Sequence, residues 1–375
     1  MQAVLQSFID RIQAAAASKT PLHIRGGGSK DFYGEPTTIG DVLDTRPYTG
    51  ITAYEPSELY ITARAGTPLA ELEATLAGRG QCLPFEPPHF DSKRATATAT
   101  VGGMVAAGLS GPARANAGSV RDYVLGIQLI NGRAEHLTFG GQVMKNVAGY
   151  DVSRMLVGSL GTLGLLTDIS LKVMPVAPAE ATLKFEMNQL QALQKLHEWG
   201  GLPLPLNASC WVRDNGVDTL YLRLRGAVAA VESACKTMGG QHQNSAETTS
   251  DWMLCRDQQL PWFTARSDAQ NLWRLSVPQT APVLDLPESP LIEWHGGQRW
   301  VRVDAGDTDQ ATRLRTLATK AGGHASVFIA GSAVSTRSIS RFDSVSAPLQ
   351  RIHLQLKAEF DPAGIFNRGR LSAAW

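Results

Sequence analysis

Between residues 95 and 120 the chain reads ATATATVGGMVAAGLSGPARANAGSV, a run built almost entirely from small side chains. Small side chains let two backbones, or a backbone and a ligand, approach more closely than bulky ones allow. The same character recurs through the first 165 residues: RGGGSK at 25–30, TVGG at 100–103, GLSG at 108–111, Gly118, and GSLGTLG at 158–164. One such loop is a turn. Several of them, each beside a predicted strand or helix end, point to one long ligand lying against backbone N–H groups. Oriented N–H donors stabilise a diphosphate without side-chain charge. Arg25 and Lys30 add cations to the first loop. The ligand must be longer than a mononucleotide.

Spacing excludes other uses of such loops. A dinucleotide-binding βαβ unit needs G-x-G-x-x-G opening a helix, and RGGGSK followed by Pro36 does not supply it. A P-loop needs Gly-Lys-Ser/Thr, whereas GGGSK reverses the order. GLSGP and VGSLG each miss the G-x-S-x-G elbow by one residue. The eight histidines are scattered without ligand spacing, so no metal site is expected. Cys82, Cys210, Cys235 and Cys255 form no C-x-x-C pair, which excludes a zinc ribbon or a ferredoxin-type iron–sulfur motif within this chain. They read as inert thiols in a reducing cytoplasm. With 35 basic and 34 acidic residues there is no basic field for nucleic acid. No apolar run reaches the ~20 residues of a membrane span. The N-terminal stretch reads as an amphipathic helix on Val4, Leu5, Phe8 and Ile12 rather than a signal peptide.

Periodicity and turn residues predict strands at Leu22–Arg25, Thr38–Leu43, Ile51–Tyr54 and Leu59–Ala65, forming a small N-terminal lobe. A helix follows, capped by Thr67 with Pro68 at its first position. Residues 122–139 read as a hairpin turning at Asn131-Gly132, and LLTDISLKVMP as a strand ending at Pro175. After a boundary near 176–180 the order is strand, helix, strand, strand, helix, with a hairpin turn at Asn215-Gly216 and Gly239 as the last helix stop. That order is the split βαβ, ferredoxin-like arrangement. A comparable series is expected at 272–329 from element order alone. A helix over Pro348–Phe360 precedes DPAGIFNRGRL, whose alternation of polar residues with apolar anchors predicts a docked tail.

In this order, IRGGGSK, TATVGGMVAAGLSGP, GSVRDYVLGIQLINGR, KNVAGYDVSRMLVGSLGTLGLLTDISLKVMP and the terminal DPAGIFNRGRL resemble one known family. It is the FAD-linked oxidase family that includes vanillyl-alcohol oxidase and the FAD-linked 2-hydroxyacid dehydrogenases. Within it, the chain is similar throughout to the smaller flavin-binding subunits of bacterial glycolate oxidase (glycolate dehydrogenase) complexes. The resemblance implies an α+β fold: an FAD-binding domain at 1–178 of two α+β subdomains divided near 67–95, a ferredoxin-like cap at 179–345, and a C-terminal helix and tail at 346–375 returning to the FAD site. It implies that Arg25, Gly26, Gly27, Gly28, Ser29 and Lys30 wrap the pyrophosphate. Thr100, Val101, Gly102, Gly103, Leu109, Ser110 and Gly111 would line the flavin from the second subdomain. Gly118, Gly161, Thr162, Gly164 and Leu165 would lie against the FAD, Lys145 would belong to the KNVAGYD segment that helps build the site, and Asn367 would approach the isoalloxazine edge. Ser29 stands after the glycines, where covalent members commonly have histidine, so the FAD is expected to be non-covalent.

Two departures bear on chemistry. The metal- and substrate-binding H-x-G-D-G-N-x-H segment of stand-alone family members has as its counterpart GHASVFIAGSA, which keeps His324 alone. The family's GSEGTLG has Leu160 where the carboxylate stands. The resemblance therefore implies a subunit that oxidises glycolate to glyoxylate together with a larger FAD-binding subunit and an iron–sulfur subunit, which passes electrons on to quinone. Such a chain would be cytoplasmic and associate with the inner face of the plasma membrane through its partners. The alternative is a stand-alone FAD-dependent dehydrogenase of another 2-hydroxy acid such as D-lactate. It would need a carboxylate clamp, for which Arg213, Arg223, Arg225, Arg274, Arg299 and Arg302 are candidates. A third reading is a folded scaffold without flavin.

Overall fold

A computed structural model describes residues 1–36, 40–91, 98–142, 151–332 and 339–374. Helix α1 (Gln2–Ser18) buries Phe8, Ile12 and Ala15. These pack on strand β1 (Leu22–Arg25) and its parallel partner β2 (Asp41–Asp44). The C-terminal tail runs beside β1: the Leu22 amide donates to the Ile365 carbonyl at 2.7 Å and the Asn367 amide to the Leu22 carbonyl at 3.0 Å. Chain start and chain end thus share one core, in which Ile365 and Phe366 are fully buried. The strand expected at Thr38–Leu43 begins at Asp41, and its first two residues lie outside the described residues.

Five strands form the next sheet. They are β3 (Ile51–Glu55), β4 (Tyr60–Arg64), β6 (Val124–Ile130), β7 (His136–Gly140) and β8 (Leu165–Lys172), ordered β3-β4-β8-β6-β7 and antiparallel throughout. Helices α2 (Leu69–Ala77) and α3 (Val101–Ala107) contribute Leu69, Leu72, Val101 and Met104 to the core against this sheet. Sheet membership changes between Asp44 and Ile51, ahead of the 67–95 division expected from the sequence: β1 and β2 pair with each other, whereas β4 pairs with β3 on one side and with β8, a hundred residues later, on the other. A short pair, β5 (Gln81–Cys82) with β9 (Met174–Pro175), closes the domain.

Two local expectations shift. Pro68, not Thr67, occupies the position before α2, and the Thr67 hydroxyl instead accepts from the Gly50 amide at 2.9 Å. The Asn131-Gly132 turn is a five-residue loop whose Asn131 side chain accepts from the amides of Arg133 (2.9 Å) and Glu135 (3.0 Å). Three short helices complete this half: α4 (Arg114–Ala117), α5 (Val120–Tyr123) and α6 (Val152–Met155).

Beyond residue 178 a single eight-stranded antiparallel sheet forms the cap. Its first half runs β10 (Ala179–Glu186), α7 (Gln189–Gly200), β11 (Leu206–Asp214), β12 (Val217–Gly226), α8 (Val228–Met238) and β13 (Gln241–His242). These strands lie in the order β13-β10-β12-β11, the ferredoxin-like pattern read from the sequence. Asn215 and Gly216, both at positive φ (47° and 84°), make the β11–β12 turn. Next come α9 (Ser245–Arg256) and α10 (Pro261–Thr264), neither anticipated. The second half has β14 (Gln270–Ser276), β15 (Leu291–Glu293), β16 (Gln298–Asp304), α11 (Thr308–Lys320) and β17 (His324–Ile329), ordered β15-β16-β14-β17. This repeats the first half with a loop in place of the first crossover helix. The halves join through β11 and β15, where Cys210 faces Glu293. Helix α12 (Ala347–Phe360) then leads the chain back to β1.

Candidate flavin site

The loop after β1 faces the residues that start α3 across a cleft, with Leu160, Asn367 and Arg370 closing one end. Its space is about 540 Å³ including the open mouth. Glycine is required on steric grounds. A Cβ on Gly27 would lie 1.7 Å from the Thr98 carbonyl oxygen, and Gly28 holds φ at +79° with a Cβ position 2.2 Å from Arg25 Nη2. The amides of Gly26 through Lys30 donate no hydrogen bond to any described residue. Five successive backbone donors without partners among the described residues, beside a cleft, form the kind of nest that takes an anion.

The side chains divide differently from the sequence expectation. Arg25 is held by Asp31, with Nη2 2.7 Å from Oδ2. Among the described residues Lys30 donates to neutral oxygens, Ser29 Oγ at 3.2 Å and the His89 carbonyl at 3.4 Å, with its ammonium 5.6 Å from the Phe90 ring centroid. Burial lowers its pKa to about 8, with Asp91 and Asp257 pulling the other way. Arg370 donates to the carbonyls of Lys30 (3.3 Å), Asp31 (3.0 Å) and Glu35 (3.2 Å), bracing the loop from behind. Arg25, Lys30 and Arg370 line the cleft with one acid, Asp31, while Asp91, Asp257 and Glu35 act on Lys30 and Arg370 from farther out. A cradle of amides without partners among the described residues, with a buried ammonium beside it, fits a diphosphate-bearing cofactor.

Asn367 anchors this geometry. Its Oδ1 accepts from the Ile24 amide at 2.7 Å, and its Nδ2 donates to the Leu160 carbonyl at 2.7 Å. Gly161 at φ +72° gives the amide room, since a Cβ there would lie 2.7 Å from Nδ2. Behind it, buried Lys357 donates to Asp361 Oδ2 (2.7 Å), the Thr162 carbonyl (2.7 Å) and the Phe366 carbonyl (3.0 Å). Asp361 accepts from the Ile365 and Phe366 amides, so one carboxylate shapes the tail that seats Asn367.

Of the remaining sequence-predicted residues, Thr100 and Gly103 line the cleft. The α3 amides are already committed: Val101 to the Thr67 carbonyl (2.9 Å), Gly102 to Ala65 (2.8 Å), and Gly103 to Thr100 Oγ1 (3.2 Å). Val101 and Gly102 are buried against the five-stranded sheet. Gly164 and Leu165 pack on β6 and in the N-terminal core, and Gly118 ends α4 at φ +94°. Val101, Gly102, Gly118, Gly164 and Leu165 thus sit away from the cleft lining. Lys145 lies outside the described residues.

Leu109, Ser110 and Gly111 line a second pocket, between the FAD-binding half and the cap. Its interior has room for about one water. Among the described residues, three buried polar atoms around it have no hydrogen-bond partner: Gln258 Oε1, Arg274 Nε and Gln298 Oε1. Glu293 shares this pocket, accepting from Trp300 Nε1 (2.6 Å), Gln298 Nε2 (3.1 Å) and Cys255 Sγ (3.3 Å), and burial raises its carboxyl above the ordinary range. Five of the six candidate clamp arginines are engaged. Arg213 pairs with Asp218, Arg223 and Arg225 with Glu86, Arg302 with Glu288, and Arg299 with carbonyls at 281, 282 and 296. Arg274 reaches Tyr33 Oη at 3.2 Å and forms no ion pair among the described residues. His324 is exposed at the start of β17 and lines neither cavity. Sequence reasoning missed Gln258, Glu293, Gln298 and Asp31, none of which stands in a motif; Arg370 was visible within NRGR.

A family model described as an FAD binding domain matches residues 5–140. The glycolate oxidase subunit GlcE of Escherichia coli (strain K12) is 45% identical over 98% of this chain and 97% of its own length. The chain belongs to the GlcE family of FAD-linked oxidoreductases. Two more distant relatives match less than half of this chain. D-lactate dehydrogenase of Archaeoglobus fulgidus is 33% identical over 44% of this chain and 35% of its own length. The GlcD subunit of Bacillus subtilis (strain 168) is 30% identical over 44% and 34%. Among solved structures, alkyldihydroxyacetonephosphate synthase aligns with TM-score 0.63 at 16% identity, covering 95% of this chain and 73% of that one, which establishes the shared vanillyl-alcohol-oxidase-type fold. The cofactor of this family is FAD. No helix among the described residues is long and apolar enough to cross a membrane.

Proposed function

We propose that this chain is an FAD-binding subunit of a complex that oxidises glycolate to glyoxylate. Whole-length similarity to GlcE, together with the unpartnered amides of Gly26–Lys30, carries the reading. Bound FAD would supply the hydride acceptor. The amides of Gly26–Lys30 hold its diphosphate, with Lys30 as charge complement, and Asn367 fixes the loop against Leu160. No histidine stands in the loop, so the cofactor is held without a covalent bond.

At the junction with the cap, Arg274 is the candidate partner for a substrate carboxylate, and the amide oxygens of Gln258 and Gln298 can accept from its hydroxyl. The pocket admits little more than a water, so substrate entry requires the cap and the 109–112 loop to part. Leu160 supplies no acid or base. The chain thus works with partners: a larger FAD-binding subunit, and an iron–sulfur subunit delivering electrons to quinone at the inner face of the plasma membrane. The competing reading, a stand-alone dehydrogenase of D-lactate or a similar acid, draws on the D-lactate dehydrogenase relatives and on Arg274. Assaying the purified chain with glycolate and D-lactate plus an artificial electron acceptor separates the two. The subunit reading expects turnover with glycolate only when the partner subunits are added; full turnover by the isolated chain would overturn it.

A further inference from the structure

Glu86 belongs to the segment between β5 and α3, and its carboxylate reaches across the junction to the cap. Arg223 Nη2 donates to both oxygens, at 2.6 and 2.7 Å, and Arg225 Nη1 to Oε1 at 3.0 Å. Both arginines lie on β12. The second oxygen also accepts from the Ala113 amide at 3.1 Å. Ala113 ends the loop whose Leu109–Pro112 line the Arg274 pocket. One carboxylate therefore ties its own segment, the cap sheet and the pocket loop together.

The surroundings hold it there. The Gly111 amide donates to the Phe85 carbonyl at 2.9 Å, and a Cβ on Gly111 would lie 2.2 Å from the Glu86 carbonyl oxygen. Glu86 itself sits at φ +48°, a left-handed conformation for a residue with a side chain. Arg223 is 3% exposed, its Nε spent on Asn207 and its guanidinium 4.9 Å from the Trp252 ring centroid. Arg225 is shared with Glu180. Burial pushes the Glu86 carboxyl up, but Arg223 and Arg225 more than offset it, so it stays ionised below the usual carboxylate range. The core of the five-stranded sheet and that under α7 and α8 share no residue, and between them a third apolar cluster spans the junction, with Phe90 and Leu109 in one core with Trp252 and Trp300 of the cap.

We propose that Glu86 is a positioning residue for the flavin-dependent reaction, fixing the cap sheet against the Ser110–Ala113 loop so that the Arg274 pocket is held shut beside the flavin cleft. The inference rests on the FAD-subunit reading for its functional meaning, and on the junction's own contacts for its geometry. It differs from a plain stability role in where its loss is felt.

Hydrogen exchange on the full-length, flavin-loaded protein tests it, comparing wild type with Glu86→Gln and Glu86→Asp. Glu86→Gln is expected to speed exchange about tenfold or more in β12 and at the 110–117 amides, with β4 and β8 unchanged. Flavin fluorescence becomes more open to iodide quenching, and Glu86→Asp recovers part of the protection. Unchanged exchange at the junction would overturn the proposal, as would an equal rise everywhere including β4 and β8. Should Glu86→Gln fail to accumulate, Arg225→Gln weakens the same tie from the cap side while Arg223 stays in place, and a smaller rise in exchange confined to the same segments is expected; no rise there would overturn the proposal. A wild-type protein that purifies without flavin counts against the FAD reading, while the exchange pattern still decides the role of Glu86 at the junction.

Discussion

Lys30→Met should act in opposite directions on the FAD-free and the FAD-bound protein. Lys30 lies in the cleft without an ion pair among the described residues, and burial lowers its pKa from 10.5 to about 8. That lowering corresponds to about 3 kcal/mol spent at neutral pH on keeping the ammonium charged in the folded, FAD-free chain. Replacing it with methionine removes that cost, so FAD-free Lys30→Met should be more stable than wild type by up to about 3 kcal/mol at pH 7. The same change removes a charged partner for the diphosphate and should weaken FAD binding by roughly 10- to 100-fold. Between pH 8 and 10.5 the unfolded wild-type chain binds more protons at this lysine than the folded one, so wild-type stability gains on the variant as pH rises through that window. FAD affinity of the wild type falls above pH 8 as the free ammonium is lost; that of the variant stays flatter. Urea denaturation of stripped protein and FAD titration by fluorescence, each at pH 7 and 9.5, read both quantities. A Lys30→Met protein that is less stable without FAD yet binds FAD as tightly as wild type would refute the reasoning.

Further expectations concern the cleft and its support. Gly27→Val places a side chain 1.7 Å from the Thr98 carbonyl oxygen and should abolish bound flavin, while the cap's far-ultraviolet signature and its tryptophan fluorescence remain. Asp361→Asn leaves buried Lys357 without its carboxylate and turns an amide group toward the ammonium. It should cost about 3–5 kcal/mol in denaturant stability and loosen FAD through displacement of Asn367.

The glycine-rich segments were legible because steric demand writes itself into sequence: nothing but glycine fits at Gly27, and Asn367 stands in a tail too patterned to be loose. The ferredoxin-like halves were legible because strand and helix periodicities are local. Sheet membership was not, since β4 finds β8 across more than a hundred residues and no local pattern records the pairing. Helix α9 escaped because it buries Thr248, Trp252 and Cys255, a face with the right spacing but little apolar character. The committed amides of α3 were equally hidden, since Ala65 and Thr67 take them from a distant loop. The Arg274 pocket is assembled from single glutamines and a glutamate on separate strands and a helix end, with no spacing to betray them. Glu86 looked like a loop acid until β12 was placed opposite.

The chain by itself is expected to hold FAD in the cleft between the Gly26–Lys30 loop and α3 without a covalent bond. The absorption spectrum of the purified chain, taken before and after denaturation and filtration, tests it most directly. About one flavin per chain, recovered in the filtrate as FAD on unfolding, is the predicted result. A colourless protein that takes up no FAD, or a flavin that stays with the unfolded chain, would contradict it.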